Sequence, residues 1–218
     1  MDEPSPTAPP VVRLRNAVAL LGRFPALAGL DLEVHASEVV LLSGPNGAGK
    51  TTVLRVCAGL VGVVDGEVEV LGRDLRADRR SIRRRVGMVG HSAGLYPDLT
   101  VRENIHFWAR AAGASDDDGL AALDRMAVAD RLHDLPVRSL SAGQRRRVSF
   151  ASVLARRPEL WLLDEPHTGL DAGGRDLVDG LIAEASAAGV TVLFASHEHE
   201  RAEAVAGRQV ELAGGVAR

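Results

Sequence analysis

Eight consecutive residues, Gly44-Pro45-Asn46-Gly47-Ala48-Gly49-Lys50-Thr51, carry glycine at the first and sixth positions and Lys-Thr at the end. That spacing is suited to holding a chain of phosphates. Glycines let the backbone wrap until several N–H groups point into one concavity, and a helix starting there adds the positive end of its dipole. In such a loop the Lys50 ammonium reaches the β- and γ-phosphates, the Thr51 hydroxyl is a ligand for Mg²⁺, and Thr52 bonds a nearer phosphate. Lys50 is the sole lysine among 26 basic side chains. It marks a position where a compact ammonium serves and a planar guanidinium does not fit.

Leu162-Leu163-Asp164-Glu165-Pro166 supplies a second chemistry. A carboxylate at the end of a buried apolar strand can hold Mg²⁺ through water, the role expected of Asp164. The adjacent Glu165 can polarise an attacking water as general base. Two acids at a strand end are more often a solvated loop, but beside a phosphate loop they make a hydrolytic pair. Farther back, Leu140-Ser141-Ala142-Gly143-Gln144 opens a helix, so the Ser141 hydroxyl and the Gly143 N–H form another anion site. One chain has no use for a second site around a terminal phosphate. It makes sense if this loop closes over nucleotide held by another copy.

Particular elements must hold these residues. Val39 to Ser43 is a short apolar strand, followed by the glycine-rich turn and a helix over about 49–58. Strands are also expected over 11–15, 30–34, 66–71, 85–89, 160–164 and 190–194. Between them the pattern turns helical over 101–112, 120–126 and 142–155, with Asp116-Asp117-Asp118 in a connecting loop, and again over 173–187. The expected fold is α/β: a phosphate-loop core with extra strands near the start and an inserted helical block. Residues 1–10, acidic and proline-rich, read as a disordered tail, leaving 11–218 as a single nucleotide-binding domain with a helical subdomain over about 92–158.

From about Val11 to the C-terminus, the order and spacing of these motifs resemble those of ABC ATPases. That resemblance implies a RecA-like core with an N-terminal antiparallel β subdomain and an inserted α-helical subdomain, and it implies ATP and Mg²⁺ as ligands. Ser141-Ala142-Gly143-Gln144 resembles the family's signature loop, with Ala142 where the family usually has glycine. Thr168-Gly169-Leu170-Asp171 resembles its D-loop, which singles out Asp171. Ser196-His197 resembles its switch histidine, so His197 joins Lys50 and Glu165 as a catalytic candidate. The family's Q-loop glutamine falls at His91, and the aromatic that stacks on adenine falls at Leu21, with Phe24 as a substitute.

Gly90-His91-Ser92-Ala93-Gly94-Leu95, with Leu99 to Ala109 and the signature run, is similar to one branch, the haem-exporter ATPases of cytochrome c biogenesis. The resemblance implies a head-to-tail pair of nucleotide-binding subunits and separate transmembrane subunits. Leu95-Tyr96-Pro97 would anchor a cytoplasmic helix of the latter between His91 and Trp108. An ATPase of another small-molecule exporter, or a soluble ATPase of cluster assembly or DNA repair, shares the motifs; cofractionation with membranes separates these classes.

Composition narrows the field. A formal net charge of −3 provides no general basic face for nucleic acid, and no aromatics interleave the arginine runs Arg79-Arg80, Arg83-Arg84-Arg85 and Arg145-Arg146-Arg147. Those runs read as solvated faces, better used against membrane-subunit loops or lipid headgroups. The single Cys57 lies in an apolar run and reads as a packing residue. No stretch reaches the ~20 apolar residues of a membrane-crossing helix, so the expected location is peripheral, on the cytoplasmic face of the cell membrane.

Overall fold

The structure is a computed structural model and describes residues 9–90 and 94–218. All but Pro9 and Pro10 of the expected tail, and His91 itself, lie outside those residues. Six strands form the central sheet, in the spatial order β10 (Val216–Ala217), β9 (Arg208–Ala213), β3 (Val39–Ser43), β8 (Thr191–Ala195), β7 (Leu160–Asp164) and β6 (Val86–Val89). All neighbours run parallel except the edge pair β9–β10. Every residue of β3, β7 and β8 is buried. Continuous apolar runs suit that position, because a parallel sheet is covered on both faces.

Alternation along these strands divides the core into two layers. Leu41, Leu163 and Phe194 face a layer with Ile105, Leu123, Val148 and Phe150. Leu42, Leu162 and Leu193 face the other, with Val53, Leu54 and Cys57 from the helix α1 (Lys50–Cys57). Burial pushes the Cys57 thiol up to about 12, which makes it an inert packing group.

The second layer is closed by a four-stranded antiparallel sheet, β2 (Phe24–Val34), β1 (Val12–Leu21), β4 (Asp65–Val70) and β5 (Arg73–Asp74). The β1–β2 hairpin continues to the Gly22-Arg23 turn, well beyond the expected 11–15 and 30–34. Three steps on β1, from Leu14 to Ala17, match two on β2, from Leu32 to Leu30. At this bulge Asn16 adopts φ 46° and its N–H donates to Asp31 Oδ1 at 2.8 Å. A bulge inverts the in–out alternation, which is why period-two reading stopped there.

The helices α2 (Val101–Ala112), α3 (Asp116–Arg125) and α4 (Ala142–Arg156) pack together on the first layer. The aspartates 116–118, expected in a loop, instead form the first turn of α3. The Ser115 hydroxyl accepts from the Asp118 N–H, and the Asp118 carboxylate accepts from the Ser115 N–H. Negative charge at a helix start complements its dipole, so an acidic triplet is a start signal here. After β7 come α5 (Ala172–Ala187), then β8, α6 (His199–Val205) and β9. No element was expected after β8; β9 pairs alongside β3 because the sheet supplies an edge for it.

Ser115→Ala should therefore lower unfolding free energy by about 1 kcal/mol, read as an earlier urea midpoint in circular dichroism. An unchanged midpoint would show that α3 starts without its cap.

Candidate active site

Three adjacent parallel strands end on one rim. The phosphate loop follows β3, Ser196-His197 follows β8, and Asp164-Glu165 closes β7. Ligand sites of open parallel sheets form beyond the carboxyl ends of strands in this way. Backbone form comes first. Gly44 has φ 123°, and a Cβ there would lie 2.1 Å from the Leu212 carbonyl oxygen, so no side chain fits. Gly49, the residue before α1, has φ 106° and provides no side-chain cap, whereas α2, α3, α4 and α5 all start with one. The first-turn amides of α1 have no carbonyl within their own helix. They are left as donors for an anion.

The side chains at the rim are already in contact. Lys50 Nζ donates to the carbonyls of Gly44 at 2.7 Å and Pro45 at 3.1 Å. An ammonium has three donors, so one remains. The Thr51 hydroxyl lies 3.0 and 3.1 Å from the two carboxylate oxygens of Asp164. This pairing of hydroxyl and carboxylate suits a hard cation that also takes phosphate oxygens and water. Among the described residues no cluster of three or more His, Cys, Asp or Glu could hold a metal without such help.

Glu165 departs from the strand at φ 52°, a left-handed conformation for a residue that is not glycine. Such strain collects at functional sites. Its N–H donates to the Ala195 carbonyl at 2.8 Å. Its Oε2 accepts from the His197 N–H at 3.1 Å and lies 2.6 Å from His197 Nδ1. An ionised carboxylate only accepts, so Nδ1 donates in this contact.

Two cavities meet at this carboxylate. One, of about 480 Å³, is lined by the phosphate loop from Asn46 to Thr52, by Asp164 and Glu165, and by Leu21 and Arg55. The other, of about 800 Å³, joins Glu165 and His197 to Ala142, Arg145, Thr168 and Gly169. Ser141, Gly143 and Gln144 line neither, and none of the signature residues borders the phosphate-loop cavity. A Cβ on Gly143 would lie 2.7 Å from the Gly169 carbonyl oxygen, so the signature and D-loop segments approach too closely for a side chain. The Ser141 hydroxyl accepts from the Gln144 N–H at 3.2 Å, capping α4. Asp171 caps α5, accepting from the Gly174 N–H at 3.0 Å, and also accepts from Arg147 at 3.0 Å. The backbone hydrogen bond, then the guanidinium, holds its carboxyl below the usual carboxylate range.

The arginine run 145–147 does not form a solvated face. Successive residues on a helix are separated by about 100°, so the three side chains diverge. Arg145 and Arg146 both border the larger cavity, Arg146 being only 8% exposed, and Arg147 pairs with Asp171. Sequence reading missed Arg146 and also Arg55; only the helical period of α4 could have signalled the first. Of the two adenine candidates, Leu21 borders the phosphate-loop cavity, while Phe24 is 80% exposed and does not.

With this geometry in view, comparison with known proteins is specific. The family model described as ABC transporter matches residues 27–168. A cytochrome c biogenesis ATP-binding export protein of Cupriavidus metallidurans is 38% identical over 88% of this chain and 92% of its own. One of Xanthomonas axonopodis pv. citri is 37% identical over 97% of this chain and 98% of its own. Among solved structures, the dimeric bacterial ABC transporter cassette MJ0796 superposes with a TM-score of 0.88 at 26% identity, covering 95% of this chain and 96% of that one. Its post-hydrolysis dimer bound to ADP and Pi gives 0.84 at 27% identity, with the same coverage.

Leu21→Ala should weaken binding of a fluorescent adenine nucleotide by about three- to tenfold, the loss of roughly one buried methylene or two. Phe24→Ala should leave it unchanged. The reverse pattern would move the base contact to Phe24.

Proposed function

Since the chain belongs to the ABC transporter family and is an ABC-type ATPase, we propose that it powers the haem exporter of cytochrome c biogenesis through separate membrane subunits. The observation that carries the finer part is identity of 37–38% with cytochrome c biogenesis export proteins over nearly the whole chain. Haem is the cargo in this reading. Among the described residues no helix is long and apolar enough to cross a membrane, and the membrane path is assigned to a partner.

The chemistry follows from the rim. The α1 amides and Lys50 take the triphosphate, and Thr52 takes one of its inner oxygens. Thr51 and Asp164 would hold Mg²⁺, whose contribution when bound is to neutralise phosphate charge. Glu165 accepts the proton of the attacking water. His197 holds the Glu165 carboxylate through its own N–H and Nδ1. None of Ser141 to Gln144 borders the phosphate-loop cavity of its own chain, which supports a head-to-tail pair in which each signature loop closes the partner's site. A two-fold pair then has two equivalent sites. A membrane subunit docks beside Tyr96 and Phe107, which are 46% and 43% exposed and stack edge-to-face with centroids 5.0 Å apart.

Glu165→Gln keeps size and removes the base, so turnover should fall by about 10²–10⁴. With ATP it should elute from a sizing column as a dimer, and with ADP as a monomer. Adding Ser141→Arg should abolish that dimer. A Glu165→Gln chain that stays monomeric at saturating ATP, with and without membrane subunits, sinks the shared-site mechanism.

Deleting the gene from its host should remove haem staining of c-type cytochromes. Complementation should fail with Lys50→Ala, in which ATP hydrolysis should be abolished and ATP binding greatly weakened, and with Tyr96→Ala, which should retain its ATPase activity. Normal haem staining in the deletion strain would overturn the haem assignment and leave the ATPase in place.

A further inference from the structure

A buried guanidinium ordinarily sits against a carboxylate, because an unpaired charge is costly away from water. Arg146 is buried on α4, yet among the described residues its hydrogen bonds go to backbone carbonyls. Nη1 donates to Gly90 at 2.7 Å, Nη2 to Asp164 at 2.8 Å and to Glu165, and Nε to Pro166 at 3.3 Å. The Phe150 ring lies on the same helix, its centroid 5.8 Å from the guanidinium carbon. Burial lowers the pKa of Arg146, and the charges of Asp164 and Glu165 oppose that loss.

Those four carbonyls are not an arbitrary set. Gly90 directly follows β6, and Asp164 to Pro166 make the turn that leaves β7. Glu165 holds φ 52° in that turn, a conformation that persists only where surrounding contacts impose it. Arg146 is the only side chain shown donating to the carbonyls of residues 164–166 among the described residues. The rigid planar fork of arginine spreads five donors over three nitrogens at fixed angles, whereas lysine offers three from one atom on a flexible stem. The helix that carries Arg146 begins just after Ser141. The same rigid element therefore bears the loop assigned to the partner's nucleotide and grips the turn that bears its own general base.

We propose that Arg146 is a positioning residue for hydrolysis, holding the Asp164–Pro166 turn so that the Glu165 carboxylate is aimed at the water, and tying that aim to α4. The inference rests on the ATPase reading above. Its substance is that Arg146 acts through Glu165 and contributes nothing to holding ATP.

The test compares Arg146→Met and Arg146→Lys with the parent chain, alone and combined with Glu165→Gln. ATP affinity should stay within about threefold for both. A misplacement of about 1 Å at a reacting group costs up to about 10²-fold, so kcat should fall about 10–10²-fold in Arg146→Met and less in Arg146→Lys. On Glu165→Gln, where the base is already gone, Arg146→Met should remove less than a further twofold. Folded Arg146→Met with parental kcat overturns the proposal, as does an equal fold-loss in both backgrounds. A merely structural role would lower the unfolding temperature while the folded fraction kept parental kcat and ATP affinity. Should Arg146→Met fail to fold, Arg146→Lys decides, and parental turnover in it overturns the proposal. A parent chain that hydrolyses no ATP fails earlier and overturns the reading on which this one stands.

Discussion

Hydrogen-bond register between β3, β8 and β7 places the chemistry of this chain in one row. Ala195 pairs with Leu42 on one side and with Asp164 on the other. The phosphate loop, the residues leading to His197 and the two carboxylates therefore leave the sheet at the same height. Slipping one strand by a single residue would turn its buried side chains to the opposite face. It would mix the layer of Leu41, Phe194 and Leu163 with that of Leu42, Leu193 and Leu162. Core packing on both faces thus enforces the alignment that hydrolysis requires.

Polar groups at the end of that row are handled in two contrasting ways. Where a helix serves architecture, its first turn is satisfied by the chain itself, as Thr100 does for α2 and Ser115 for α3. Where a helix faces the rim, Gly49 leaves the start of α1 without a side-chain cap. The carbonyls that turn away from β7 are treated in the opposite manner. They receive a buried guanidinium, and the carboxylate beyond them is held by His197. Donors are left open at the start of α1, while the carboxylate beyond β7 is tied down.

The arrangement of the signature loop adds the other constraint. Gly143 packs on Gly169, and Asp171 accepts from Arg147, so the start of α4 and the start of α5 are bound to each other. That unit belongs to the same chain as Glu165 but borders no cavity of the phosphate loop. Through Arg146 on α4, the signature loop is joined to the turn that bears the chain's own Glu165 carboxylate.

Much of this was legible in the residues themselves. The phosphate loop is a local device: glycines at two spacings and a lysine dictate a backbone form whatever surrounds them, and the apolar runs 39–43, 160–164 and 190–194 could only be buried strands. The sequence by itself therefore determined the loop, the acid pair at the end of β7, the starts of α2 and α4, and the α/β class. Non-local contacts decided the remainder. The β1–β2 hairpin hides behind a bulge at Asn16, and the acidic triplet becomes helix through a reciprocal cap with Ser115. Strand β9 exists because β3 has a free edge for it. Three arginines that read as one charged run are sent to a cavity, a carbonyl cluster and a carboxylate. Spacing can dictate how a short segment bends, but burial depends on which distant backbone arrives beside a side chain, and that is settled only when the layers close.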